Sequence, residues 1–290
     1  MTIFNLGSIN ADLVYRLPHL PAPGETLAAT GFSRGLGGKG ANMSVAAARA
    51  AARCVHLGAV GADGGWAVER LMEYGVDTRH VLTVDAPTGH AIIMVDGAGE
   101  NAIVLQPGAN HALTAEHLAT PLAEARDGDI FVFQNETNAQ REGAEMASAR
   151  GMRVAYAAAP FDADAVAAVM PLLDLLVLNA VEAAQLAEAT GMQPQALPVR
   201  DVVVTQGAKG CDWYDTDAGT LRHFDALKVE ALDTTGAGDT FTGYLLAGLD
   251  RGQPMAQAIG LAIKAAALMV TRHGTADVIP DLREVQDLSF

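Results

Sequence analysis

The chain alternates short, almost wholly apolar runs with longer alanine-rich stretches in which apolar residues recur at helical spacing. The pattern predicts strands at residues 2–7, 54–60, 129–133, 152–157, 174–178 and 201–205, and helices at 40–52, 64–74, 115–125, 137–150, 164–170 and 181–190. Strands that are apolar on both faces are typical of a parallel sheet covered by helices. Repeated strand–helix–strand units therefore predict an α/β fold, with a central, mostly parallel sheet flanked by helices.

Two stretches depart from this alternation. Residues 13–34 and 88–106 read as strands without intervening helices, and Gly97 with Gly99 supplies a hairpin turn. They predict a small separate β-sheet, of the kind that serves as a lid or an interface. We expect one domain over residues 1–290 that carries this lid, and two helices within 237–271. Helix starts are predicted at Thr114, Asn138 and Asp162.

The composition and net charge exclude some classes of protein and of binding partner. The chain has 290 residues, half of them hydrophobic, and a formal net charge of −15. The apolar fraction excludes general disorder. The negative charge argues against nucleic acid or an anionic membrane surface as a partner, because both are bound mainly through positive charge.

Localisation rests on weaker signals. No apolar run is long enough to span a bilayer, and the N-terminus shows no secretory signal. Cys54 and Cys211 lie far apart in apolar runs, so neither a disulfide framework nor a zinc site is expected. A cytoplasmic protein is the expectation.

The strongest chemical motif is Asp233-Thr-Thr-Gly-Ala-Gly-Asp239. Gly236 and Gly238 precede a predicted helix, whose free amides and dipole would bind an anion. Asp239 would be repelled by a permanently bound anion, but it suits a base that accepts a proton from a hydroxyl attacking a phosphoryl group. The alternative is a glycine-rich turn with Asp239 as a helix cap.

A second glycine-rich segment spans Gly35 to Asn42. It matches G-x-G-x-x-G, and Asp63 lies where a ribose-binding acid would be in a dinucleotide site. However, these glycines do not follow the first buried strand. A loop that presents Lys39 and Asn42 to a polar ligand is favoured, and a plain turn remains an alternative.

Polar groups also follow several predicted strands. Asn10 and Asp12 come after the first, Glu136 after the run at 129–133, and Asn179 with Glu182 after the run at 174–178. Such positions meet at the carboxyl edge of a parallel sheet, where ligands bind. Amide and carboxylate groups together suit a sugar. Each motif taken alone is also consistent with a polar turn or a first-turn helix acid.

In these motifs and their order the sequence resembles the ribokinase group of the PfkB carbohydrate kinases, nearly end to end. The matching segments are residues 7–12, 23–26, 37–42, 99–101 with 108–110, 179–182 and 233–239. The resemblance implies phosphorylation of a pentose, D-ribose first, at its 5-hydroxyl by MgATP.

The resemblance also implies a role for each matching residue. Asn10, Asp12, Gly38, Lys39, Asn42 and Glu136 would hold the sugar, Asp239 would be the catalytic base, and the amides of Gly236, Ala237 and Gly238 would form an anion hole. Asn179 and Glu182 would orient Mg²⁺ and phosphate, the metal through water. Thr205, Gly207, Lys209 and Gly210 would line the nucleotide. Asp233 and the Thr235 carbonyl, with carbonyls around 270–275, would bind a monovalent cation such as K⁺. The small sheet resembles the clasp through which ribokinases form homodimers.

Three features depart from the family pattern. Ala157-Ala-Ala-Pro160 replaces a motif that begins with Asn, the segment 191–200 is about a helix shorter than expected, and Lys264 stands where an Asn or His usually approaches the adenine. They bear on the nucleotide and leave the sugar site unchanged. Three alternatives remain open: a kinase for another sugar such as 2-deoxyribose, or for a nucleoside stacked on Tyr15 or Phe32; a sugar- or nucleotide-binding protein without catalysis; and an NAD-dependent oxidoreductase.

Overall fold

The apolar runs of the sequence become the central strands of one large sheet in the computed structural model, which describes residues 1–288. The strands are β1 (Ile3–Leu6), β2 (Asn10–Arg16), β3 (Gly31–Gly37), β4 (Cys54–Gly61), β5 (Val81–Val84), β6 (Gly89–Val95), β7 (Asn101–Gln106), β8 (Ile130–Gln134), β9 (Arg153–Ala157), β10 (Leu175–Asn179), β11 (Asp201–Thr205), β12 (Cys211–Asp215) and β13 (Thr220–Phe224). The helices are α1 (Lys39–Arg49), α2 (Gly65–Glu73), α3 (Ala115–Ala123), α4 (Gln140–Ser148), α5 (Ala163–Val169), α6 (Ala180–Thr190), α7 (Ala237–Asp250), α8 (Met255–Met269) and α9 (Leu282–Asp287).

The main sheet has nine strands in the order β13-β12-β11-β10-β9-β8-β1-β4-β5. Pairing is parallel from β11 to β5, whereas the β11–β12 and β12–β13 pairs are antiparallel, so that β12 alone runs against the other strands. Alternate residues of each buried strand enter separate apolar clusters: Ile3 packs with α1, α7 and α8, while Phe4 packs with α3 and α4 on the other face. The predicted mostly parallel sheet flanked by helices is confirmed.

A second sheet of four strands, in the order β3-β2-β6-β7, stands apart from the first. The predicted separate β-sheet is therefore confirmed, with changes in the bounds of its strands. Residues 26–30 are irregular, whereas β3 continues through the glycine-rich segment, since Gly35 pairs with Asp12 and Gly37 pairs with Asn10. Asn10 and Asp12 accordingly lie within β2 and not in a turn.

Local predictions met mixed outcomes. Thr114 and Asp162 begin helices as expected, but α4 begins after Ala139, in a left-handed conformation with φ 57°. Asn138 is not the cap, because its amide bonds to both backbone groups of Leu113. The hairpin of β12 and β13 was not predicted, since its strands mix polar and apolar residues.

No helix in the described part of the chain combines the length and apolar character needed to cross a membrane. Cys54 and Cys211 are both buried and unpaired.

Candidate active site

The predicted polar groups meet where the carboxyl ends of the parallel strands face the first turns of α1, α6 and α7. A cavity of about 230 Å³ lies there. Its lining includes Lys39, Asn179, Glu182, Thr205, Gly236, Gly238 and Asp239. Parallel pairing aligns the carboxyl ends of β9, β10 and β11, and this alignment brings together residues that are distant in sequence.

Asp239, in the first turn of α7, is only 7% exposed. Its Oδ2 accepts a hydrogen bond of 2.9 Å from Nδ2 of Asn42. Burial raises the pKa of this carboxyl, while the Lys39 ammonium and the Asn42 amide act against that rise. Asp239 in turn is the main reason that the pKa of Lys39 is raised. A buried carboxylate with a raised pKa beside a cation is suited to accept a proton.

Glu136 follows β8 and contacts the start of α1. Its Oε2 accepts a 3.0 Å bond from the backbone N–H of Lys39 and a bond from the Ser8 hydroxyl. Gly38, which precedes α1, has no side chain with which to cap the helix. The carboxylate of Glu136 therefore serves as the N-terminal cap of α1, where the helix dipole favours negative charge.

Asn10 and Asp12 extend the site toward the second sheet. Asn10 is held by Asn110, whose Nδ2 donates to its Oδ1 at 2.7 Å and whose Oδ1 accepts from the Ile9 backbone. The Asp12 carboxylate fills the space beside Gly37 that a Cβ atom would otherwise take. Burial, with the nearby Glu136 and Asp239 carboxylates, raises the pKa of Asp12 to about 7. Asn110 was not assigned a role from the sequence.

A buried chain of hydrogen bonds supports this region and was also missed. Gln134 donates to Asn5, Asn5 donates to Ser44, and Ser44 lies 2.8 Å from Nδ1 of His56, whose Nε2 lies 3.1 Å from the Gly7 carbonyl. Burial lowers the pKa of His56 to about 4, so the ring is neutral at pH 7. The chain ties β1, β4, β8 and α1 together beneath Ser8 and Glu136. Its only sequence signal was the presence of polar residues inside apolar runs.

Asn179 and Glu182 form a reciprocal capping box at the start of α6. The Asn179 Oδ1 accepts from the backbone N–H groups of Val181 and Glu182, and Glu182 Oε2 accepts from the Asn179 backbone at 2.7 Å. This is the structural alternative considered for Glu182. Burial raises the pKa of Glu182, and the opposing influence of Lys39 shows that its carboxylate also belongs to the electrostatics of the cavity.

A second cavity, of about 440 Å³, adjoins the first and shares Asn179, Thr205, Thr234 and Gly238 with it. Of the residues predicted to line the nucleotide, Thr205, Gly207 and Gly210 line this cavity. Lys209 is exposed beside it. Lys264 is not brought to it, because its ammonium faces the Leu288 carbonyl at 3.5 Å while its neighbour Ile263 lines the wall.

The turn before α7 presents the predicted anion-binding amides. Gly236 has a φ of 76°, which a residue with a side chain adopts only at a cost. Within the described residues the Gly236 and Gly238 N–H groups have no hydrogen-bond acceptor, whereas the Ala237 N–H donates to the Thr234 carbonyl at 3.2 Å. Two of the three predicted amides are thus free.

Asp233 begins the same turn. Burial acts to raise the pKa of Asp233, but hydrogen bonds from Thr235 and from the Gly274 backbone outweigh it and hold the pKa below its usual value. The Val270 carbonyl accepts from the backbone N–H groups of Leu232 and Asp233. These contacts fasten the turn to the end of α8 and keep the Asp233 carboxylate ionised.

The alternative of a dinucleotide site has no support in this geometry. The glycines at 35–40 lead from a strand of the second sheet into α1, whereas the dinucleotide motif requires a strand of the parallel sheet. Asp63, the ribose-binding acid of that alternative, accepts from the backbone and hydroxyl of Thr88.

Comparison with known proteins shows which family the chain resembles. The model of the pfkB family of carbohydrate kinases matches residues 2–282. The ribokinase of Haemophilus influenzae is 33% identical over 300 residues, covering 98% of this chain and 96% of that protein.

Two solved structures have the same fold over 99% of both chains. Ribokinase from Arabidopsis thaliana, complexed with ribose and ATP, has a TM-score of 0.88 at 27% identity. Ribokinase from Cryptococcus neoformans, in complex with ADP, has a TM-score of 0.86 at 30% identity. This chain belongs to the pfkB family of carbohydrate kinases and is an ATP-dependent sugar kinase.

Proposed function

We propose that this protein transfers the γ-phosphoryl group of ATP to the 5-hydroxyl of D-ribose, giving D-ribose 5-phosphate. The carrying observation is the placement of Asp239, which is buried, bonded to Asn42 and located at the wall of a cavity that opens into a larger, nucleotide-sized one. The likeness to ribokinases supports ribose as the sugar.

In this proposal each group acts through position and charge. Asn10, Asp12, Asn42 and Glu136 bind the sugar hydroxyls, and Gly38 and Lys39 complete that side of the site. The oxygen of the 5-hydroxyl forms the new bond to the γ-phosphorus while the bond from that phosphorus to the β–γ bridging oxygen breaks, so that ADP leaves. Asp239 accepts the proton that the hydroxyl loses. The free N–H groups of Gly236 and Gly238, with Lys39 opposite, stabilise the negative charge of the transferring group.

Magnesium fits the donor set. Within residues 1–288 no group of three or more His, Cys, Asp or Glu side chains could enclose a metal ion. Mg²⁺ is commonly held by one or two carboxylates, water and substrate phosphates, so Glu182 with Asn179 suits it. When bound, the ion neutralises phosphate charge.

A monovalent cation is proposed beside the turn before α7. The low pKa of Asp233 provides the anionic ligand that K⁺ needs, and the Thr235 carbonyl lies in the same turn. Lys209, Gly207, Gly210 and Thr205 are proposed to contact the nucleotide. The sequence predicts contact between Lys264 and adenine, but Lys264 does not line the cavity, and no contact with the base is proposed for it.

The second sheet is proposed to be a clasp that covers the sugar and joins two copies of the chain. It presents exposed apolar side chains from β3 and β7, namely Phe32, Ile103, Val104 and Leu105. Tyr15 and Phe32 pack together with ring centroids 5.0 Å apart. Because side chains alternate along β2, they lie on the face opposite Asp12, which disfavours a nucleoside stacked on them.

Replacing Asp239 by Asn tests the proposal. We expect Asp239→Asn to fold normally and to lose about 10²–10⁴-fold in kcat, the usual contribution of a general base. Asp250→Asn is the matched control, since Asp250 is a buried carboxylate at the far end of the same helix. A coupled assay of ADP release over ribose, 2-deoxyribose and nucleosides, with and without K⁺, measures both. Retention of more than about a tenth of kcat by Asp239→Asn contradicts its role.

A further inference from the structure

The side chains that line the larger cavity are polar only where it shares residues with the smaller one. There Asn179, Thr205 and Thr234 line both cavities. Every other side chain in its wall is apolar or absent, including Phe241 of α7 and Ile263, Ala266, Ala267 and Val270 at the α8 side. A nucleotide with its phosphates at the shared end therefore places its base among apolar side chains.

The opposite wall is an irregular segment, residues 226–231, which we call the strap. Ala226, Leu227, Val229 and Ala231 line the cavity, whereas Lys228 and Glu230 are exposed and do not. Within residues 1–288 the backbone of the strap makes no hydrogen bond. A segment so weakly restrained can adjust its distance from α8 when ligands differ in shape.

We propose that the donor site binds the nucleobase through apolar contacts with its two faces, between the strap and the α8 side. No side chain of the site forms a hydrogen bond to the edge of the base. The enzyme consequently accepts guanosine and inosine triphosphates as well as ATP. This inference rests on the proposed kinase function and extends it to the choice of phosphate donor.

Adenine and guanine have similar faces but opposite hydrogen-bonding edges at positions 1 and 6. A site built with buried polar groups for one edge rejects the other by about 10⁴–10⁵-fold, because those groups lose their partners. An apolar wall has no such partners to lose, and it distinguishes ligands by only about 10–200-fold. The side chains of this cavity are of the second kind.

Direct binding separates this inference from turnover. Dissociation constants of ADP, GDP and IDP, measured calorimetrically with Mg²⁺ on the intact protein, are expected to agree within about 100-fold, as are the kcat/KM values of the triphosphates with ribose. A preference for ADP above that limit overturns the inference, while ribose phosphorylation by ATP would still stand. Failure of all three diphosphates to bind overturns the inference and the proposed function together.

A variant in the strap tests the apolar contact between the strap and the nucleobase. Leu227→Ala removes apolar wall, and we expect it to weaken ADP and GDP by the same factor, about tenfold. Lys228→Ala, next to it but outside the cavity, is the matched control and should leave both constants unchanged. A Leu227→Ala protein that binds ADP as tightly as the parent, or that loses affinity for only one of the two, contradicts the face-gripping site.

Discussion

At the scale of single residues, the main electrostatic feature is an excess of buried negative charge. Burial, together with the Glu136 carboxylate, raises the pKa values of Asp12 and Asp239, and the Lys39 ammonium opposes the rise at Asp239. Such an arrangement costs folding free energy, because burial disfavours the ionised forms of Asp12 and Asp239. In the proposed function the sugar offsets part of this cost, since its hydroxyls would donate hydrogen bonds to the carboxylates.

The raised pKa of Asp12 makes the folding stability of the protein depend on pH. Its folded-state pKa, raised to about 7 from 3.8, means that the stability it contributes in acid is lost as the pH rises toward 7. Asp12→Asn should therefore raise the melting temperature by at least about 2 °C at a pH near 8, and much less near pH 4. Equal shifts at both pH values contradict the raised pKa.

The affinity for ribose should also depend on the ionisation of Asp12, but it should increase as the pH rises, whereas the stability decreases. The ionised Asp12 is the better acceptor for hydroxyl groups, so the KM for ribose in the parent protein should fall as the pH rises through about 7. Asp12→Asn should have a higher KM with a flatter pH profile. A parent KM that is constant between about pH 6 and 8 is the contradicting result.

At the scale of elements, the position of α1 depends on a backbone contact. A Cβ atom on Gly40 would lie 2.3 Å from the Gly7 Cα atom, so α1 and the end of β1 approach at a distance that only glycine permits. The same helix carries Lys39 and Asn42. Close packing of these two glycines therefore sets the distance between the sugar side of the site and Asp239.

Gly40→Ala tests this contact. Overpacking of this kind costs about 1–3 kcal/mol, and the shift of α1 should also lower kcat. Gly260→Ala, within α8 and with no atom within 4 Å of the added Cβ, is the control and should stabilise the protein by about 0.5–1 kcal/mol. Thermal unfolding with the ADP-release assay measures both, and an unshifted melting temperature in Gly40→Ala excludes the close approach.

Elements also show where sequence patterns lose their reliability. Thr114 and Asp162 were found as helix starts because capping is a local interaction. Asn138 was misassigned because its amide is engaged by Leu113, a residue 25 positions away. The cap of α1 was missed for a similar reason, since it is the carboxylate of Glu136 and lies 97 residues from Lys39.

At the scale of the whole molecule, the proposed homodimer depends on the apolar edge of the second sheet. Ile103 and Leu105 of β7 are 53% and 52% exposed. Changing both to Asp should convert a dimer to a monomer in light scattering, because two copies would then bury charge. Leu221→Asp, on the exposed edge strand β13, is the control and should leave the mass unchanged. A parent protein that is already monomeric contradicts the clasp interface.

The net charge of −15 also takes on meaning at this scale. A protein this acidic does not attract ATP through its overall field. In the proposed function, local groups therefore hold the phosphates, and the free amides before α7 line the same cavity as Lys39.

The sequence by itself determined the α/β class, the separate small sheet and the family, and it predicted Lys39, Glu182 and Asp239 as site residues, which the structure places at one cavity. It could do so because buried strands, helix caps and glycine-rich turns are local patterns, and because the family's motifs are contiguous. The tertiary structure decided what depends on distant partners: the Glu136 cap of α1, the support of Asn10 by Asn110, the His56 hydrogen-bond chain and the absence of Lys264 from the lining of the larger cavity. These contacts join residues that are distant in sequence and form only when the chain packs. They therefore cannot be predicted from the spacing of residues along the sequence.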